Sequence, residues 1–374
     1  MPLSWEDLAA AALARQLPED PGGSGVAARL DLVGPVQSQT ARSPFLALAA
    51  RFPGTTRAEV EAAYEDGSLV RGSTIRGTVH TATPAQYAAL GAATRVGQRT
   101  LWQRMLKLER SSLDDLWTAT EEFAAGWRTP DELQDHLHRW LVTHEGRDDV
   151  TGNAAGRYLA FGHGGLVRRP VNGDWAGQGA PEYRTLPPVV AATLRDAVLL
   201  HLRCHGPASR HDVAWWSGLG LRVVDDVLAG LDGLLADEGP DGRTYVSLPD
   251  APASRTDHGV RLLPEFDALM CAYEPSARVR FAERHHLDRL WSGANGMVLP
   301  PLLVDGRITG YWRATGSARR RPLEVVWFAR TRRPRSGELD APVAALEAAL
   351  GIEVASVTLS REDLGRGSVS PGRG

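Results

Sequence analysis

Two glutamines, Gln37 and Gln39, flank Ser38 just after Gly34-Pro35. In an extended segment, residues i and i+2 project to the same side. The two amides would then face one point in space. A carboxylate pair at that spacing would signal acid–base chemistry, but an amide does not titrate. What a pair of amides can do is hold a water and present carbonyl oxygens to a developing positive charge. The structural alternative is an ordinary polar turn.

The other chemical vocabulary is short. No Gly-rich phosphate loop, Ser/His/Asp set or HExxH stretch occurs. Cys204 and Cys271 stand far apart without CxxC or Cys/His spacing, which argues against a zinc site and against a disulfide framework. No metal and no cofactor is expected. His285-His286 lies in a helix-like stretch, where adjacent side chains diverge, and reads as surface. Trp215-Trp216 reads as buried bulk, and His80 as a buried, hydrogen-bonded histidine or a pocket residue. Lys107 is the single lysine, so nearly all positive charge is arginine. Arginine is the better fork for phosphate and base edges and cannot form a Schiff base.

The elements that must position these groups follow from periodicity and capping. The pattern of three helices and then a strand pair recurs three times. It is cleanest over Thr193–Leu248, where Ser209 caps a helix and Gly239-Pro240-Asp241-Gly242 turns a hairpin. A second copy, from about Leu113 to Leu186, has a capping box at Thr129-Pro130-Asp131-Glu132. Its recognition helix is expected at Asn153–Phe161, after a Gly- and Asp-rich loop, and its wing starts at Arg168-Arg169 and turns at Asn172-Gly173. The first copy carries the Gln pair, a helix from Ser43-Pro44, a helix capped by Thr56, a strand pair over Leu69–Thr81 and a capping box at Thr83. Three helices plus a hairpin is the winged-helix plan. Beyond Gly259 the pattern turns to strands, with a hairpin at Asp305-Gly306 and one late helix.

The sequence therefore predicts an α+β fold of three tandem winged-helix motifs and a C-terminal antiparallel β-barrel-like domain. The expected divisions are 1–110, 111–187, 188–250 and 251–364, with a disordered tail at 365–374. No run is long enough to span a membrane, and the N-terminus lacks the features of a signal peptide, so a cytoplasmic protein is expected; for a DNA-encircling shape the default is a nucleoid-associated monomer. Net charge is −3, which excludes a globally basic nucleic-acid coat. Positive charge is instead concentrated locally. Arg319-Arg320-Arg321 sits at a hairpin turn, with Arg330, Arg332, Arg333 and Arg335 close behind in sequence.

Four stretches resemble the AlkZ/YcaQ-like winged-helix DNA glycosylases. They are Gly34-Pro35-Val36-Gln37-Ser38-Gln39, Leu69-Val70-Arg71, Arg76-Gly77-Thr78-Val79-His80, and Val304-Asp305-Gly306-Arg307 with Gly310-Tyr311-Trp312-Arg313. They occur in family order over most of the chain. The resemblance implies that Gln37 and Gln39 form a catalytic Gln-x-Gln element of the AlkZ branch. That branch acts on bulky alkylation and interstrand crosslinks, and some members give producers of DNA-crosslinking antibiotics self-resistance. The family's middle residue is usually hydrophobic or aromatic, and Ser38 departs from that. The implied substrate is double-stranded DNA with alkylated or crosslinked purines, contacted by Arg313, Arg319, Arg320, Arg321, Arg168 and Arg169. A purine alkylated at N7 is already cationic and leaves without a general acid, which suits an amide pair. With Lys107 alone available, a lyase step is not expected.

Two other classes compete. A non-enzymatic winged-helix regulator would bind DNA sequence-specifically and release no base. A protein-binding scaffold would have no DNA affinity.

Overall fold

The computed structural model describes residues 2–20, 22–147, 154–186, 191–250, 252, 258–291 and 296–364. The expected tail at 365–374 lies outside them, as do most of the loop before Ala154 and the expected start of the helix at Asn153.

The chain begins with α1 (Trp5–Gln16) and α2 (Val26–Val33), followed by β1 (Val36–Gln37), α3 (Ser43–Arg51), α4 (Arg57–Glu65), β2 (Val70–Thr74) and β3 (Thr78–Ala82). Then come α5 (Pro84–Gly97), α6 (Arg99–Leu106), α7 (Leu113–Phe123), α8 (Pro130–Glu145), α9 (Leu159–His163), β4 (Leu166–Pro170) and β5 (Pro181–Thr185). The third stretch is α10 (Leu194–His205), β6 (Ala208–Ser209), α11 (Arg210–Ser217), α12 (Leu221–Ala229), β7 (Leu235–Glu238) and β8 (Thr244–Ser247). The last comprises β9 (Val260–Leu262), α13 (Ala268–Cys271), α14 (Arg284–Leu290), β10 (Pro301–Val304), β11 (Arg307–Ala314), β12 (Arg320–Phe328), α15 (Asp340–Leu350) and β13 (Glu353–Glu362).

The local start signals act as expected. Ser4, Thr56, Thr83, Thr129 and Ser209 each close a reciprocal capping box at a helix N-terminus. Helix α2 lies outside the sequence expectation. It has only eight residues, and Gly25 at its N-cap supplies no side-chain hydrogen bond, so the usual signal is missing.

Strand pairing departs further from the local reading. The strands of the first two stretches join in one sheet of order β1-β3-β2-β4-β5, linked where Gly72 meets Val167. The C-terminal sheet, β13-β12-β11-β10-β9, curls into a half-barrel. It is not wholly antiparallel: β13 runs parallel to β12, because α15 crosses between them and returns the chain in the same direction. The expectation of an antiparallel barrel is corrected on this point.

Two large cores and smaller satellites fill the molecule. One packs α1, α5, α10 and α11 against α13, α14 and the inner face of the C-terminal sheet, with Tyr273, Phe281 and Phe328 among its buried rings. The other packs α2, α3 and α4 against α15 and the strands around Trp312. A buried ion pair ties the same regions together. Arg51 of α3 holds both oxygens of Asp267 at 2.9 and 3.0 Å, and also reaches Gln16 Oε1 at 2.8 Å. Its opposite charges are matched by geometry, which a buried pair requires.

Candidate active site

Gln37 ends β1, the edge strand of the first sheet, and stands opposite His80 of β3. The next bond continues the ladder: Ser38 N donates to Val79 O at 2.7 Å. The Ser38 side chain turns inward, opposite to its neighbours, as extended geometry requires. Its Oγ meets Thr81 Oγ1 at 2.7 Å, Thr81 Oγ1 meets the Tyr64 hydroxyl at 2.6 Å, and Arg71 donates to that hydroxyl at 2.9 Å. A serine in the middle position therefore has a physical place. It joins a buried hydrogen-bonded chain, where a larger apolar residue would leave Thr81 with the Tyr64 hydroxyl but without this second partner.

The two amides are not equivalent. Gln37 is 8 % exposed and accepts from Arg76 Nη2 at 3.2 Å through Oε1. Gln39 is exposed, and its Oε1 takes a long contact, 3.5 Å, from the Val79 backbone N–H. Guanidinium and backbone N–H groups only donate, so both partners must face amide oxygens. Each oxygen keeps a second lone pair, and each NH₂ remains a donor.

His80 is buried and meets Thr74 Oγ1 at 2.8 Å through Nδ1. Burial, aided by the nearby Arg76 charge, pushes its pKa down to about 3. It is neutral across the working range and is no proton donor there. Opposite His80 on β2 lies Gly72, where a Cβ would sit 2.0 Å from the Tyr87 hydroxyl and 2.7 Å from the Leu166 carbonyl. Only glycine lets the sheet approach α5 this closely.

On the other side of Gln37 stands the end of α11. Trp216 is 4 % exposed and belongs to the core, as expected, but Trp215 is 36 % exposed. Behind it, the buried Arg278 guanidinium lies 5.2 Å from the Trp215 ring centre and 4.3 Å from that of Trp291. Burial draws Arg278 down to about 10.

The arginines singled out in the sequence are scattered. Arg319 and Arg320 are exposed at the β11–β12 turn, with Arg320 paired to Glu353 at 2.9 Å. Arg321 donates to the Ala318 carbonyl, and Arg313 packs beside Tyr311. Arg168 is half-buried near Tyr183, while Arg169 is exposed and paired with Glu182. Arg319–Arg321 and Arg330–Arg335 lie toward opposite ends of β12. Pro322 to Phe328 of β12 lie between the two groups, a span of about 25 Å. Arg332 is engaged by Asp305 and Glu338. His285-His286 is also only half surface, since His286 is buried and stacks on Phe328 at 4.6 Å.

Arg76 belongs to one of the stretches that carry the resemblance, yet sequence reasoning does not mark it as a site residue. Its only signal is an Arg-Gly pair in a three-residue turn between two β runs.

Gln37 at the end of an edge strand and Gln39 just beyond it stand in a helical frame closed by a curled half-barrel. The family model described as DNA glycosylase AlkZ-like matches residues 30–350, and the chain belongs to that family. It is a DNA glycosylase, an enzyme of DNA repair acting on DNA, which sets aside the non-enzymatic regulator and the scaffold. Among solved structures, the fold is similar to the Streptomyces sahachiroi DNA glycosylase AlkZ. The TM-score is 0.78 at 20 % identity, covering 96 % of this chain and 100 % of that one. No curated protein matches the sequence. Among the described residues, no helix is long and apolar enough to cross a membrane.

Proposed function

We propose that this DNA glycosylase excises purines alkylated at N7 and unhooks interstrand crosslinks, with Gln37 and Gln39 as the reacting pair. The observation that carries the reading is the pair of tethered amide oxygens at the end of edge strand β1 and just beyond it, beside a histidine held neutral. Such a site offers dipoles rather than protons. An N7-alkylated purine needs no proton, because it is already cationic. Its C1′–N9 bond breaks with the electron pair passing to the base, which becomes neutral. The free lone pairs of the amide oxygens stabilise the oxocarbenium-like sugar and orient a water for attack at C1′. That water loses its proton to solvent, leaving an abasic site.

Lys107, the sole lysine, is exposed just beyond α6, so the enzyme is monofunctional and forms no Schiff base. Residues 1–110, 111–187 and 188–250 serve as winged-helix modules and 251–364 as a β-domain, acting as a cytoplasmic monomer on double-stranded DNA. Arg313, Arg319, Arg320 and Arg321, with Arg168 and Arg169, supply phosphate contacts. A base tethered to the opposite strand cannot swing into a deep pocket, and an edge strand suits a lesion read from outside. Protection of an organism making a DNA-alkylating compound would be one use of this activity.

The test is a single gel. Duplexes carrying N7-alkylguanine or an N7 crosslink are incubated with the protein, then treated with alkali. Strand breaks at the lesion are expected with both. Breaks with neither overturn the proposal, and a covalent complex trapped by borohydride overturns the monofunctional assignment.

A further inference from the structure

Arg76 sits in the turn between β2 and β3 with φ 57° and ψ 15°, and Gly77 follows at φ 67°. The left-handed region suits glycine and is unfavourable for a residue with a β-carbon. An arginine held there calls for a compensating role. Its guanidinium makes three contacts. Nη1 donates to the Trp215 and Trp216 carbonyls at 3.1 and 3.0 Å, and Nη2 donates to Gln37 Oε1 at 3.2 Å. The two carbonyls belong to the last turn of α11, where no intrahelical partner is available and the helix presents its negative end.

The geometry has two consequences. The planar guanidinium is fixed along one edge by the helix end, so its other donor has a set direction. Because it can only donate, the Gln37 amide is locked with its oxygen toward Arg76. The carbonyls of α11 also offset the positive charge, which would otherwise oppose a cation forming at the sugar. A lysine at this position is a point charge and cannot reproduce the planar fork.

We infer that Arg76 is a positioning residue: it fixes which face of the Gln37 amide meets the lesion and couples that face to the end of α11. The inference rests on the reading of Gln37 as a reacting group, and the experiment separates the two.

Full-length Q37A, R76G, R76N, R76K and the R76G/Q37A double variant are compared by single-turnover excision from an N7-methylguanine duplex, by DNA affinity and by thermal melting. Glycine and asparagine both tolerate the left-handed backbone, so R76N serves if R76G does not fold. The expected result is melting at or above that of the parent and nearly unchanged affinity. Excision should slow about 100-fold, the cost of a misplaced reacting group. R76K should not recover the rate, and the double variant should be no slower than Q37A alone. A full rate in R76G with a lost rate in Q37A overturns the role of Arg76 and leaves Gln37 standing. So do losses that multiply in the double variant, or a loss seen only as weakened DNA affinity. A full rate in Q37A overturns the Gln37 reading and this inference with it.

Discussion

The corner at Gln37 and the hairpin at Arg319–Arg321 use the same kind of side chain in opposite ways. At the corner, Arg76 turns inward and all three of its contacts are to neutral oxygens of the protein. Around it, Ser38, Thr81, Tyr64 and Arg71 form a continuous buried chain. At the hairpin, Arg319 and Arg320 stand in solvent, and the ion pair of Arg320 with Glu353 is exposed on both sides. An exposed pair of this type contributes little and is readily exchanged for a phosphate. The difference separates two tasks. Orientation of a reacting group needs arginine whose donors are already committed, whereas DNA attraction needs arginine whose donors are free to be re-used. Strand β12 separates the hairpin from the arginines beyond Phe328.

The comparison breaks most visibly at Gln37. Q37A should lower the single-turnover excision rate by about 10²- to 10³-fold, the range for loss of one preorganised dipole at a developing charge. Q39A should lose less, because Gln39 is exposed and held by one long contact. Equal losses in the two variants would mean that the amides act as one unit whatever their burial. The next effect is on the frame. G72A would put a methyl 2.0 Å from the Tyr87 hydroxyl, against a bond from that hydroxyl to the Leu166 carbonyl at 2.8 Å. Overpacking of this kind costs about 1–3 kcal/mol. A lower melting temperature together with slower excision is expected. A slower rate in an unshifted melt would show that Gly72 acts on chemistry directly.

Weaker still is the hairpin. Reversing charge at Arg319, Arg320 and Arg321 should weaken DNA binding and flatten the plot of log affinity against log salt by about 0.9 for each phosphate no longer neutralised. Excision at saturating DNA should be unchanged. A defect that persists at saturation would place the hairpin in the chemistry and dissolve the division between orientation and attraction.

What could be read from sequence follows the range of the interactions involved. Capping boxes at Thr56, Thr83, Thr129 and Ser209 are complete within four residues, and so were legible. The Gln37–Gln39 spacing was legible as sequence, but strand β1 ends at Gln37 and Gln39 lies in a bend beyond it, so strand geometry alone does not set the second side chain. The shared sheet was not legible, because the Gly72–Val167 pairing joins segments far apart in sequence, and periodicity carries no register between them. The parallel return of β13 was hidden because a helix and a strand in order do not state which way the strand runs. Arg76 escaped because its role depends on α11 carbonyls about 140 residues away and on a backbone conformation that sequence assigns to glycine. Trp215 and Trp216 show the limit most simply. Neighbours of one residue type on one helix differ in burial because only one of them faces the core.

The smallest expected effect is a flat line, and it tests the amide chemistry from another side. Gln37 and Gln39 have no ionisable form, and His80 is held near pKa 3. From about pH 6.5 upward the excision rate on an N7-methylguanine duplex should not change with pH. Stability should behave differently below that value. An unfolded His80 binds a proton near pH 6.5, but the folded one does not until about 3. The unfolded state therefore holds more protons in that window, and stability must fall as pH falls. Its contribution is fully present above 6.5 and is lost progressively toward 3, at up to about 1.4 kcal/mol per pH unit. His201, drawn to about 4 chiefly by burial, adds to the same slope over a narrower window. H201Q should accordingly flatten part of the acid limb in denaturant titrations, while the excision rate above pH 6.5 stays level. A rate that instead climbs as pH falls from 8 to 7, where the protein is fully stable, would reveal a titrating acid at the site and refute catalysis by neutral amides alone.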